Sequence, residues 1–468
     1  MARIKGHRMN FPSLLGAYLA INAIPDAYIL VDGPDCALYK AHFIFGRHDL
    51  RSTLLNIEGR HRVCFTNVCA QSVTHDHSEL IVRRLRMLNE LDEAKLILLT
   101  SLPGCSITGL DYDHLVRSVL PLIKKDALAI PPTSLIGDWL DGYAVTMRAF
   151  AKYADLSGGK PDPGKAAIVG YFMDRNEGDH IGNIRELKRL LAALGLETVS
   201  VWFGGEPYES LKRARDAGIV VSLPYGRDAA AEVARKTGAR LVEAPLPFGM
   251  KATELFLRQV AAATGRTKEA EAFIAREKKE ILERLEWIVP YLFLHREATF
   301  LGDPHLMEGF VDICEDLGVA VRRCFLTARE GHVTPRPDGP PALFEPDIYN
   351  QAVQEFIQHP SEIVVSNTNE ITRIIRWGET VILELGFPSY FHHALSDRPF
   401  LGFSGFLAFT ERLADFLSAI LSAKLVGEDD DDDDDEEPDD VWGGMLKSAP
   451  AAKSPEGVPS PPPVSKEG

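Results

Sequence analysis

The sequence predicts an α/β fold: three doubly wound, Rossmann-like domains on parallel sheets, followed by a disordered acidic C-terminal tail. Short, apolar, β-branched runs recur along the chain, amphipathic segments of helical period separate them, and the composition changes abruptly near Gly427. A chain of 468 residues, 45% hydrophobic and 25% charged, is too long for one small core and ordinary in composition for a globular protein.

The strand candidates are KLILLT (95–100), KAAIVG (165–170), TVSVWF (198–203), GIVVSL (218–223), ATFLG (298–302), SEIVVS (361–366) and TVILEL (380–385). Each is apolar throughout and bounded by Gly, Pro or charge, as strands covered on both faces are. NIRELKRLLAALG reads as a helix ending on Gly195, and TKEAEAFIAREKKEILERLEWIVPYL (267–292) as a long charged helix. SGGKPDPGK (157–165) reads as a linker. These breaks place the domains at 1–160, 161–290 and 291–425, with the tail at 426–468.

The N-terminus, MARIKGHRMNFPSLLGAYLAINAIPDAYIL, resembles a leader peptide in its basic start and apolar stretch. Asn22, Pro25 and Asp26 interrupt that stretch, and no clean small-residue cleavage site follows. No apolar run approaches membrane-spanning length. Six scattered cysteines exclude a disulfide framework, and a reducing cytoplasm is the simplest location.

The net charge of −16 belongs mostly to the tail, where fourteen acidic and three basic residues follow Gly427. GEDDDDDDDEEPDD running into a Pro/Ser-rich end cannot bury enough apolar surface to order itself, and reads as a solubilising segment or as a docking tail for a basic partner. No basic stripe with interleaved aromatics points to a nucleic acid.

Chemistry concentrates in the first quarter of the chain. Cys36 lies in VDGPDCALYKAHFIFG, Cys64 in RHRVCFTNVCAQSVTHDHSEL and Cys105 in ILLTSLPGCSITGLD, three separate turn-containing loops. Thiolates gathered from separate loops suit an iron–sulfur cluster, because soft sulfur ligands hold iron without adjacency in sequence. CFTNVC offers Cys69 as well as Cys64. Cys314 and Cys324, in helix and strand context, read as core. Phosphate loops, dinucleotide fingerprints, zinc-protease motifs and serine elbows are absent. NEGDHIGNI (176–184) follows a strand at a helix start, either as an anion cradle or as a plain N-terminus capped by Asp179.

Six segments, in order, resemble the nitrogenase component 1 type oxidoreductases, the group that also holds the light-independent protochlorophyllide reductases. They are GPDCALYKAHFIFG, RVCFTNVCAQSVTHDHSEL, LTSLPGCSITGLDYDHLV, GDHIGNIRELKRLLAALGLETVSVWFGG, FLGDPHLMEGFVDICEDLGV and GFPSYFHHALSDRPFLGFSGFLAFTERLADFL, spanning about residues 15–425. The resemblance implies a [4Fe–4S] cluster on Cys36, Cys64 and Cys105 at an interface with an identical or sister subunit. It further implies an ATP-dependent iron–sulfur reductase as electron donor. Two departures matter. Pro224 stands where the molybdenum-cofactor subunit has a ligand cysteine, and Leu401 where it has a ligand histidine. Together they imply a small organic substrate in place of dinitrogen. The rivals are an assembly scaffold of the same family and a cluster-free small-molecule-binding protein.

A reductase needs protons as electrons arrive. Asp35 beside Cys36, and His75, Asp76 and His77 on the second loop, are the candidate donors. The plainer reading makes THDHSEL a helix start capped by Thr74. His392 and His393 are candidates for substrate contact.

Overall fold

Each of the three sheets is wholly parallel, and each reverses its strand order at one point. In the computed structural model, residues 11–56, 61–68, 71–131, 137–346, 348–368 and 380–429 are described. The first sheet is built from α1 (Ser13–Asn22), β1 (Ala27–Asp32), α2 (Leu38–Phe43), β2 (Val63–Phe65), α3 (Ser78–Asn89), β3 (Leu96–Ser101), α4 (Pro103–Ser106), α5 (Tyr112–Val119) and β4 (Asp126–Ala129). Its order is β2-β1-β3-β4. The helix α6 (Trp139–Tyr153) then leads to the second sheet. That sheet holds β5 (Asp162–Val169), α7 (Gly178–Ala193), β6 (Glu197–Val201), α8 (Tyr208–Leu211), β7 (Ala217–Ser222), α9 (Arg227–Thr237), β8 (Arg240–Glu243) and α10 (Met250–Thr264), in the order β6-β5-β7-β8.

The long helix α11 (Thr267–Leu285) leads to the third sheet. It comprises β9 (Glu297–Gly302), α12 (Pro304–Leu317), β10 (Ala320–Leu326), β11 (Ala342–Phe344), α13 (Ile348–Gln358), β12 (Ile363–Ser366) and β13 (Val381–Glu384), ordered β11-β10-β9-β12-β13, with α14 (Gly402–Asp429) following. Open parallel sheets leave a crevice beyond the strand C-termini where the order reverses. Those points lie between β1 and β3, between β5 and β7, and between β9 and β12.

Some elements differ from the sequence reading. The apolar N-terminal stretch is a wholly buried helix followed by the first strand. The residues read as a linker are in part strand, since β5 begins at Asp162. The charged helix stops at Leu285, and Pro290 lies in a separate turn, Val289–Phe293; proline in a helix interior removes a donor and clashes with the preceding turn. The acidic run from 430 onward lies outside the described residues.

Ile420 closes the compact unit that contains all three sheets. α6 packs on α1 through glycines. A Cβ on Gly16 would fall on the Trp139 carbonyl oxygen, and one on Gly142 on the Ser13 carbonyl oxygen. The two helix backbones therefore touch without side chains between them. In an open helix, Gly→Ala stabilises by about 1 kcal/mol. Here backbone overlap outweighs that gain, and Gly142→Ala should destabilise by about 1–3 kcal/mol, the usual range for overpacking. Equilibrium urea unfolding of wild type and variant measures the sign directly.

Candidate functional site

Two regions collect chemistry, and both sit at the order-reversal points. The first is the crevice beyond β1 and β3. Gly33 leaves β1 at φ +154°, with space for no Cβ because Leu102 Cδ1 would lie 2.6 Å away, so the two strand-end loops touch. Cys36 is exposed in the turn Asp35–Ala37 after β1, and the Tyr18 hydroxyl pins that turn by donating to the Ala37 carbonyl at 2.8 Å. Cys105 is buried in α4 after β3. Burial, then the Asp32 carboxylate, then the Cys36 thiol push the Cys105 thiol up to about 11. Cys36 and Cys105 thus share one electrostatic neighbourhood.

Cys64 stands apart from them. It lies within β2, paired with Leu30 of β1, two residues before Asp32, or about 7 Å back along the strand. Its thiol donates to the His61 carbonyl at 3.4 Å and packs on the core under α3 and α5. Burial raises it to about 11, against the pull of Arg84. Cys69 lies outside the described residues. Cys314 and Cys324 are fully buried in α12 and β10, as read.

Asp32, which the sequence reading passed over, organises this crevice. Its buried carboxylate accepts from Thr66 Oγ1 at 2.7 Å, Tyr112 Oη at 2.8 Å and His77 Nε2 at 2.9 Å. One side chain at the end of β1 therefore ties the loops after β2 and β3. The other proton-donor candidates are peripheral. Asp35 and His75 are exposed. Asp76 is exposed too and accepts from the Ser78 amide and hydroxyl, which lower its pKa. Helix α3 begins at Ser78 with His77 at the N-cap position, so Thr74 is not the cap.

The second region is a cleft where the reversal points of the second and third sheets meet. It is lined by Tyr171, Asp174, Arg175 and His180 after β5, Tyr225 after β7, Asp303 after β9, and Phe400 and Leu401 before α14, and it encloses only about 20 Å³, room for about one water. Gly170, at φ +97°, makes the turn possible because a Cβ would strike the Leu223 carbonyl.

The cleft is filled by its own charges. Asp174 takes the His180 imidazole and lies 3.4 Å from His48 Nε2. Arg175 faces Asp174, Glu177 at 3.3 Å and Asp179. Against the cost of burial, His180, Arg175 and His48 hold the Asp174 carboxyl far below the ordinary carboxylate range. Glu177, not Asp179, is the N-cap residue of α7. Its carboxylate accepts from His393 Nδ1 and the Ala394 amide, both at 2.7 Å, strapping residues 389–399 across the helix start. His392 donates its amide to Glu384 at 2.6 Å, and burial followed by Arg412 and Arg175 lowers its imidazole to about 4. Asp303 is raised to about 6 by burial, although Tyr225 Oη donates to it at 2.7 Å. The hint in the sequence was DRNEGDH, a dense run of charge directly after a buried strand.

Comparisons with known proteins agree with this architecture. The family described as Nitrogenase component 1 type Oxidoreductase matches residues 12–418. The nitrogenase iron-iron protein beta chain of Rhodobacter capsulatus is 23% identical over 343 residues, covering 67% of this chain and 72% of that protein. The nitrogenase iron-molybdenum cofactor biosynthesis protein NifE of Clostridium pasteurianum is 23% identical over 297 residues, 61% of each. A solved structure of nitrogenase Cp1 at pH 6.5 superposes with a TM-score of 0.74 at 17% identity, over 94% of this chain and 98% of that one. Among the described residues, no helix is long and apolar enough to cross a membrane.

Burial sets the pH response of the cleft. His305, edge-on to Tyr225 with ring centroids 4.6 Å apart, is lowered to about 3 by burial and then by the charge of His332. A histidine depressed when folded gives stability that is complete above its unfolded pKa near 6.5 and is lost as pH falls. Between pH 6.5 and 5, His305 alone should remove about 1.6 kcal/mol, with the slope rising toward about 1.4 kcal/mol per pH unit at the acid end. Urea unfolding at both pH values should show that slope reduced by one proton in His305→Phe.

Proposed function

The chain belongs to the nitrogenase component 1 type oxidoreductases, and on that premise we propose that it is a nitrogenase-like electron-relay subunit acting on an organic, tetrapyrrole-like substrate. The observation that carries this reading is the placement of Cys36 and Cys105 on touching loops at one order-reversal point. The donor set fits an iron–sulfur cluster by its chemistry: soft thiols, one exposed and able to face a partner subunit, one buried.

 Cys64 would join from β2, level with Leu30. Such a group, when bound, supplies one-electron transfer at low potential.

The protein's own residues do the rest. Asp32 ties the loops after β2 and β3 to the end of β1, and Cys105 is buried beside it. In the cleft, Asp303 near pH 6 can hold a proton and pass it on, with Tyr225 orienting it. Leu401 is fully buried in the cleft wall and Pro224 begins the turn after β7, so neither offers a metal ligand. That supports an organic substrate over dinitrogen. Electrons would come from a separate ATP-dependent iron–sulfur reductase, and an identical or sister subunit would face Cys36. A second reading, an assembly scaffold, is favoured by the similarity to the NifE protein.

Anaerobically purified protein should contain iron and acid-labile sulfide with a dithionite-reducible EPR signal. Cys36→Ala and Cys105→Ala should each lose most of the iron, whereas Cys324→Ala, in the core, should keep it. Iron-free wild-type protein with an intact fold would sink the proposal. A co-purifying metal cluster with no reduced product from any tetrapyrrole tested would move the reading to the scaffold.

A further inference from the structure

We propose that His77 is held as an imidazolium whose proton balances charge in the thiol crevice, so that His77 takes up or keeps a proton whenever negative charge is added there. The inference rests on the cluster reading above for the source of that charge. The geometry at His77 does not depend on it.

Both ring nitrogens of His77 face acceptors. Nδ1 lies 2.9 Å from the His75 carbonyl oxygen, which can only accept, so Nδ1 carries a hydrogen. Nε2 lies 2.9 Å from Asp32 Oδ2. Asp32 also receives the Tyr112 hydroxyl on the same oxygen and the Thr66 hydroxyl on the other. Thr66 Oγ1 itself accepts from the Gly33 amide at 2.9 Å, which leaves its hydrogen for Asp32. The Thr66 and Tyr112 hydroxyls donate to one oxygen each, so Asp32 accepts on both, and Nε2, which faces one of those accepting oxygens, carries a hydrogen as well. A ring with two N–H groups is a cation.

This cation is almost enclosed, with a side chain 8% exposed against a fully buried Asp32. The charged and titratable groups around it are few. Asp32 faces it from β1, and His75 and Asp76 share its loop. Tyr112 of α5, Cys105 of α4 and Cys36 of the β1 turn reach it through Asp32. Burial opposes the charge, but the bonds to Asp32 and His75 and the charges of Asp32 and Asp76 outweigh it and raise His77 above the ordinary imidazole value. A folded pKa raised in this way gives stability that is complete below the unfolded value and is lost as pH rises through the folded one.

The consequence for the crevice follows from Coulomb's law in a poorly solvated place. Deprotonated His77 would leave the Asp32 carboxylate without its counter-charge beside Cys105, whose thiol it already disfavours as an anion. A negative charge gained there therefore strengthens the hold of His77 on its proton. If one electron from dithionite enters the crevice at a pH above the His77 pKa, one proton comes from solvent to His77, and the net charge of the crevice is unchanged. His77 is in this sense a positioning and charge-balancing residue with no contact to substrate.

Two measurements on the full chain test the proposal. Nitrogen-15 NMR of histidine-labelled protein, with His77→Gln to assign the resonance, should show both His77 nitrogens protonated at pH 6.5. Deprotonation should follow only at higher pH, and Asp32→Asn should lower that midpoint. A singly protonated His77 at pH 6.5 overturns the proposal whether or not iron is present. The second measurement is the midpoint potential of the iron-loaded protein against pH. Wild type should lose a factor of ten in its reduction equilibrium per pH unit above the His77 pKa, about 59 mV for a one-electron couple, and His77→Gln should flatten that dependence. Equal slopes in the two proteins overturn the proposal alone. Failure of the wild-type protein to hold any iron overturns the cluster reading and this proposal with it.

Discussion

Buried charge at the meeting point of the three sheets is the constraint on which the rest of the molecule depends. Asp174 and Arg175 sit almost without solvent at the end of β5 and must be neutralised by neighbours from elsewhere. His48, from the first sheet, donates Nε2–H to the Asp174 carbonyl at 3.0 Å and accepts the Ser389 amide on Nδ1 at 2.9 Å. It thereby joins the loops following β5 and β13. Asp49 next to it accepts from Asn22 of α1 at 2.7 Å and from the Asn176 amide at 3.0 Å. Removing one member of a buried pair costs about 3–5 kcal/mol, because the other is left as an unpaired charge. That penalty adds to apolar contact in holding the three sheets together.

The same principle operates on a smaller scale in the first sheet. Asp32 is the last residue of β1, and its carboxylate can be satisfied only if the loops carrying Thr66, His77 and Tyr112 close around it. The segment between β3 and Tyr112 also presents Cys105, and Cys36 follows Asp32 in the turn after β1. The order of the thiol crevice thus follows from burying one acid. In the second and third sheets, the strap over Glu177 and the capping of α12 by Asp303 use carboxylates in the same manner. All three crevices are closed by acids at strand ends, where backbone amides and hydroxyls are available as donors.

Much of the architecture was legible in the chain itself. The runs around Leu98, Ile168, Val220, Phe300, Val364 and Leu383 are apolar on both sides of the strand, which only a doubly covered parallel sheet requires, and all became strands. β1 was obscured because only the short segment 23–26 separates its apolar run from that of α1. β4 and β8 were obscured because they are short and carry Asp126, Arg240 and Glu243. The assignment of Cys314 and Cys324 to the core followed from their periodic surroundings. In the candidate site, Cys36 and Cys105 were identifiable from soft-ligand chemistry on loops, and His77 from its place on the second loop. Asp32, Asp174 and Asp303 were not, because a single acid ending an apolar strand looks the same whether it faces water or three donors.

The division has a physical origin. Secondary structure and strand burial depend on local periodicity, so composition along the chain determined the α/β class, the parallel sheets and the loops that carry thiols. Protonation, charge pairing and the closure of a cleft depend on groups distant in sequence, such as His77 on Asp32 and Asp174 on His48. Only the tertiary structure decided those, because the energy of a charge is set by what surrounds it in space and not by its neighbours in the chain.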